Sequence, residues 1–139
     1  MKTILIVEDE SLVMRLYRHV LRDYTVLEAA TAAEAFRQFC DCGRHIDLLI
    51  TDLTLPTSSG TRVALQLRST IPSLPVILAS GCPTRNWTDR DSDALGLLGT
   101  DSVMVLDKPF YPSILLHMVH EMIGAPGEAF ASTAVAKAI

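Results

Sequence analysis

Four apolar runs in this 139-residue chain each lead into a residue able to handle a phosphoryl group. Ile4-Leu5-Ile6-Val7 leads into Glu8 and Asp9, and Leu48-Leu49-Ile50-Thr51 leads into Asp52. Val76-Ile77-Leu78-Ala79 leads into Ser80, and Val103-Met104-Val105-Leu106 leads, one residue later, into Lys108 and Pro109. Asp52 is the candidate acceptor, because an ionised carboxylate can attack phosphorus and form an acyl phosphate. Both partners are negative, so a hard cation is needed between them, and Mg2+ binds carboxylates and phosphate oxygens together. Asp9 is the candidate direct ligand beside Asp52. Glu8 adds a carboxylate, acting directly or through water, and the main-chain carbonyl of Thr54 can complete the shell. Lys108 brings a point charge to the phosphoryl oxygens, and Ser80 brings a hydroxyl donor. Phosphoryl transfer asks mostly for positioning and charge stabilisation, which this set supplies. Taken singly, each residue has a plainer explanation: an acidic pair before a helix, for instance, is favoured by the macrodipole. Their joint placement at four run ends carries the reading.

The elements that must position them follow from periodicity. Strands are expected over residues 3–7, 24–28, 47–52, 74–79 and 103–106, where apolar and β-branched residues run together. Helices are expected over 11–22, from a Thr31–Glu34 capping box to a stop at Gly43, over about 61–70, within 89–98, and from Pro112 to Gly124. Continuous apolar strands alternating with helices specify an α/β fold. It is a doubly wound, five-stranded parallel sheet with helices on both faces. All four run ends then meet at the carboxyl edge of the sheet, where open α/β sheets bind ligands.

Composition bounds the function. The length suits one domain, expected over 1–123 and followed by a tail over 124–139 that is either disordered or a short accessory helix, with no output domain. The net charge of -4, with 12 Lys and Arg scattered along the chain, gives no basis for binding DNA. No apolar stretch approaches the ~20 residues that span a bilayer, and the first strand begins too early for a signal peptide. Three cysteines argue against a disulfide framework and suit a cytoplasmic location. Cys40-Asp41-Cys42 reads either as half of a metal site or, more simply, as Cys40 filling the buried face of its helix with Cys42 near the end. His117 and His120 share a helix face as exposed polar residues or a metal pair. Trp87 is either a partner anchor or a local packing residue.

The motifs resemble those of the receiver domains of two-component response regulators, the family that includes the chemotaxis (CheY-like) regulators. The resemblance covers residues 2 to about 123. It rests on the run from Ile4 to Glu10, on 47–56 with Gly60 beyond, on 76–81, and on Asp107-Lys108-Pro109-Phe110. It implies a flavodoxin-like sheet in strand order 2-1-3-4-5, of single-domain type. It implies that a sensor histidine kinase or a histidine phosphotransfer protein donates its phosphoryl group to Asp52 with Mg2+ as cofactor. It also implies that Ser80 moves toward the phosphate and that the face around the fourth helix, fifth strand and fifth helix is remodelled, which alters binding to a downstream protein. The chain would then be no turnover enzyme, only a self-catalysed acceptor that loses its phosphate slowly. A homodimer through the last helix or tail is compatible with this layout.

Two features depart from the family pattern. Val105 stands where similar receivers carry a Tyr or Phe that couples to the hydroxyl residue. In addition, 27 residues separate Ser80 from Lys108, several more than usual, with the extra length expected between Cys82 and Asp101. Rival readings are a receiver-fold scaffold that works without phosphorylation and a haloacid-dehalogenase-type Mg2+ phosphatase. The latter wants a second Asp where Thr54 stands. A flavodoxin-like FMN binder is opposed by the acidic Glu8-Asp9-Glu10, which would repel the FMN phosphate.

Overall fold

The computed structural model describes residues 1–126, so the expectation for the tail lies almost wholly outside the described residues. Strands and helices alternate: β1 (Thr3–Val7), α1 (Ser11–Val20), β2 (Thr25–Ala29), α2 (Ala32–Asp41), β3 (Leu48–Asp52) and α3 (Gly60–Arg68). β4 (Val76–Ser80), a single 3-10 turn (Thr84–Asn86), α4 (Asp89–Leu98), β5 (Val103–Asp107) and α5 (Pro112–Ile123) follow. The five strands form one parallel sheet in the order β2-β1-β3-β4-β5, the expected doubly wound class.

Burial on both faces explains the unbroken apolar strands. Ile4 and Ile6 pack with Met14 and Tyr17 of α1 and with Leu115 and Val119 of α5. Leu5 and Val7 pack on the other face with Ala35 and Phe39 of α2, Val63 and Leu67 of α3, and Leu98 of α4. With no solvated face, the polar half of the usual alternation disappears. Helix starts follow local chemistry. Thr31 Oγ1 accepts from the Glu34 N–H at 3.1 Å, and Glu34 reaches back to the Ala30 N–H at 2.9 Å, one residue beyond the cap itself. Pro112 occupies the first turn of α5, where its missing N–H costs nothing.

Several boundaries move for identifiable reasons. α1 stops at Val20, not Arg22, because the Arg22 guanidinium turns back to the His19 carbonyl at 2.9 Å and the chain bends toward β2. β2 begins at Thr25 because the Tyr24 N–H bonds Leu21 instead of the sheet. The Tyr24 hydroxyl donates to the Gly124 carbonyl at 2.7 Å, tying β2 to the end of α5. β4 covers Val76–Ser80, not 74–79, so Ser80 is the last residue of the strand and not the first of the loop. Cys40 is exposed and does not fill the core: Ala35 and Phe39 supply the inward face of α2, and the next residue rotates away from it.

Arg68, at the end of α3, closes the lower rim of this layer. Its guanidinium donates to the carbonyls of Leu74 (3.0 Å), Leu98 and Ser102 (3.2 Å), joining α3, the loop before β4, the end of α4 and the turn before β5. Partial burial lowers its pKa from the ordinary arginine value, yet the group remains a five-donor fork that a lysine cannot imitate. Arg68→Ala removes the donor to the Leu74 and Leu98 carbonyls, while the Ser102 carbonyl keeps the Val76 N–H at 2.8 Å, and is expected to cost about 2 kcal/mol in urea unfolding, with Arg68→Lys recovering less than half. Equal stability of the wild type and Arg68→Ala would contradict this role.

Candidate functional site

Register carries the side chains to one place. Val7 lies opposite Thr51, so Glu8 and Asp52 emerge side by side at the ends of β1 and β3. Asp52 lies opposite Ala79, and Ser80 lies opposite Asp107, which brings Lys108 one step above the last pair of β4 and β5. The Lys108 N–H donates to the Ser80 carbonyl at 2.8 Å, and the Lys108–Pro109 bond is cis. Gly60 allows the return loop to pass close to Asp52: a Cβ there would lie 2.0 Å from the Asp52 carbonyl oxygen. The Gly60 N–H reaches the Leu53 carbonyl at 2.7 Å, which locks the strand end beneath the loop.

The Lys108 ammonium bridges two carboxylates, with Nζ 2.8 Å from Asp52 Oδ1 and 3.0 Å from Glu8 Oε1. The second oxygen of Glu8 accepts from the Glu10 N–H at 3.1 Å. The Glu8 side chain is fully buried and that of Asp52 is 8% exposed, so these charges interact with little solvent between them. Burial and the neighbouring Glu8 push the Asp52 pKa up to about 7, against the opposing pull of Lys108. Burial also works to lower the Lys108 pKa, but its bonds to Asp52 and Glu8 outweigh this and hold it above the ordinary lysine value. The same negative field reaches Tyr17 beneath. Burial first, then Asp52 and Glu8, raise its pKa, and its hydroxyl has no hydrogen-bond partner among the described residues.

Glu8, Asp9 and Asp52 each offer an oxygen within 4.8 Å of the others, and they are the one such group of three among the described residues. Three carboxylates against one ammonium leave an excess of negative charge, and hard oxygen donors of this kind fit Mg2+ or a similar cation. Asp9, Thr54, Ser80, Cys82 and Lys108 line an open cavity of about 490 Å3 over Asp52. Ser80 is the expected site residue whose functional group does not turn toward Asp52. Its hydroxyl donates to the Cys82 carbonyl at 2.8 Å and accepts from the Cys82 N–H at 3.1 Å. Val105 is half-buried and lines a groove with Leu95 and Gly96 of α4.

The remaining candidates resolve to structure. Trp87 is 7% exposed, so it packs inside and is no surface anchor. Its indole N–H donates to the Cys82 carbonyl at 3.2 Å, a link that no residue spacing announces. His117 pairs with Glu121 at 3.0 Å on the exposed side of α5, and among the described residues neither His117 nor His120 joins a three-ligand cluster.

The raised Asp52 pKa fixes the sign of a pH effect in the absence of divalent cations. The folded state holds the Asp52 proton up to about pH 7, whereas the unfolded chain releases it near pH 4. The stability this proton contributes is complete below about pH 4 and is lost as pH rises to about 7. With EDTA present, Asp52→Asn should therefore gain on the wild type across that range, reaching about 1–2 kcal/mol at pH 7.5 once solvent screening is allowed for. Thermal melts at pH 4.5 and 7.5 with the same difference between the two proteins would contradict it.

Comparison with known proteins agrees with this architecture. Residues 4–120 match the family described as the response regulator receiver domain. The sensor kinase CckA of Brucella abortus (strain 2308) is 32% identical over 123 residues, covering 87% of this chain and 12% of the kinase. The regulatory protein VanR of Enterococcus faecium is 32% identical over 118 residues, covering 84% of this chain and 47% of VanR. The chain thus spans less than half the length of either curated relative. The crystal structure of the receiver domain from the hybrid histidine kinase CckA superposes with a TM-score of 0.68 at 30% identity, over 86% of this chain and 97% of that one. No helix among the described residues is long and apolar enough to cross a membrane. With the sheet order, the acidic edge and the match over 4–120 in agreement, this chain belongs to the receiver domain family of two-component response regulators.

Proposed function

We propose that the chain accepts a phosphoryl group on Asp52 from a phosphohistidine of a sensor kinase or phosphotransfer protein, and signals through an altered protein-binding surface. The observation that carries this is the Lys108 bridge, 2.8 Å from Asp52 and 3.0 Å from Glu8, lining an open cavity of about 490 Å3, room enough for a tetrahedral anion. In the transfer, a free Asp52 carboxylate oxygen forms the new O–P bond. The donor's N–P bond breaks, and its electron pair stays on the imidazole nitrogen. Asp52 is left as an acyl phosphate, and no oxidation or reduction takes place.

Each residue has a defined task. Lys108 already neutralises part of the Asp52 charge, and it stands where the oxygens of the incoming group gather negative charge. Glu8 holds Lys108 from the opposite side, so the ammonium is fixed before any ligand arrives. Asp9 and Asp52 would hold Mg2+ directly, with Glu8 acting through water and the Thr54 carbonyl as a further donor. When bound, that ion supplies the positive charge that lets one anion approach another. Ser80 would give up its bond to Cys82 and donate to the phosphoryl group, a charge-assisted bond about twice as strong as the neutral one it leaves. Thr54 is exposed and carries no carboxyl, so the second acid of a phosphatase has no place here.

Incubation with acetyl phosphate and Mg2+, followed by intact mass, tests the reading. The wild type should gain one phosphoryl group, EDTA should prevent it, and Asp52→Asn should gain none. An unmodified wild type under these conditions would favour a scaffold that works without phosphorylation. Lys108→Ala should slow the modification by about a hundredfold, the usual loss when one charge-stabilising group is removed. A rate within twofold of the wild type would take Lys108 out of the proposed chemistry.

A further inference from the structure

The Ser80 hydroxyl shares its acceptor. The Cys82 carbonyl receives the Ser80 hydroxyl at 2.8 Å and the Trp87 indole N–H at 3.2 Å, one donor for each of its lone pairs. Trp87 is held in the core layer with Leu53, Leu55, Leu78 and Leu98, so its ring cannot drift independently of its backbone. That backbone runs directly into α4. Thr88, the next residue, caps α4 by accepting from the Asp91 N–H at 3.1 Å, and Asp91 accepts from Thr61 of α3 at 2.8 Å. One carbonyl therefore joins the hydroxyl at the candidate site to the first turn of α4. Val105 has no donor with which to sense that hydroxyl, and it faces the apolar side of α4.

We propose that Trp87 is a positioning residue that reads the state of Ser80 through the Cys82 carbonyl and passes it to the N-terminus of α4. The proposal rests on the reading of Asp52 as phosphoryl acceptor. When Ser80 turns its hydroxyl to the modified Asp52, the Cys82 carbonyl keeps the indole N–H as its side-chain donor. The 81–88 segment then settles around that bond, and the Thr88 cap moves with it. The indole also eases the departure of Ser80: without it, the carbonyl would be left with no side-chain donor at all. Trp87 thus gives this chain a route from the site to α4 that does not need an aromatic residue at position 105.

Trp87 is the single tryptophan of the chain, so its indole resonance reports on the link directly. The full chain, labelled with 15N, is titrated with beryllofluoride in Mg2+ as wild type, Trp87→Phe, Ser80→Ala and the double variant. In the wild type the indole N–H resonance should shift at saturation, and in Ser80→Ala that shift should be lost. Trp87→Phe should bind beryllofluoride about three- to tenfold more weakly, and this penalty should disappear in the Ser80→Ala background. At saturation, the amides of 89–92 should shift in the wild type and stay in place in Trp87→Phe, while amides next to Asp52 shift in both. A ring that merely supported the fold would give additive penalties and leave the response of α4 intact; that result would overturn the proposal. A silent indole in saturated wild type would overturn it while leaving phosphoryl acceptance standing. A wild type that neither binds beryllofluoride nor takes a phosphoryl group would remove both readings.

Discussion

Crowding of like charge at the end of the sheet governs this molecule. Parallel register lifts Glu8 and Asp52 out of adjacent strands at the same level, and neither carboxylate can escape to solvent. Lys108 answers both from the end of β5, but one ammonium does not balance three acids. Burial first, and then the neighbouring Glu8, raise the Asp52 pKa to about 7, and the same charges add to the effect of burial on Tyr17. A site with this excess of negative charge gains from a ligand that adds positive charge.

The rest of the fold keeps this arrangement in place. Apolar packing on both faces fixes the strand ends laterally, and Gly60 lets the loop over Asp52 close without a side chain in the way. Arg68 secures the opposite end of the α3–α4 layer through three carbonyls. The rigid part of the site thus comes from β1, β3 and β5. Beyond β4 the bonding is of another kind: the Cys82 carbonyl takes its donors from the side chains of Ser80 and Trp87 instead of from a neighbouring strand.

The sheet and its acidic edge were legible in the sequence because both arise from backbone periodicity. Four apolar runs ending in Glu8, Asp52, Ser80 and Lys108 leave few ways to fold once crossovers are right-handed. What escaped is what depends on rotamers and on distant partners. The orientation of Ser80 toward Cys82 is set by a single torsion. The burial of Trp87 inside a polar stretch depends on core residues from three other elements, and the three-way role of Arg68 depends on carbonyls that meet after folding. Cys40 was misplaced because on a short amphipathic helix one residue step is a 100° turn, enough to move a side chain from the core to the surface. The shifted start of β4 had a cue, since Pro75 cannot donate to a ladder.

The most direct measurement is a crystal structure of the protein with Mg2+ and beryllofluoride. The expected density joins beryllium to an Asp52 carboxylate oxygen, with the cation held by Asp9 and Asp52 and the Lys108 ammonium within hydrogen-bond distance of a fluorine. An adduct on another residue, or a Lys108 that remains paired with Glu8 alone and out of reach of the fluorines, would contradict the proposed chemistry of this site.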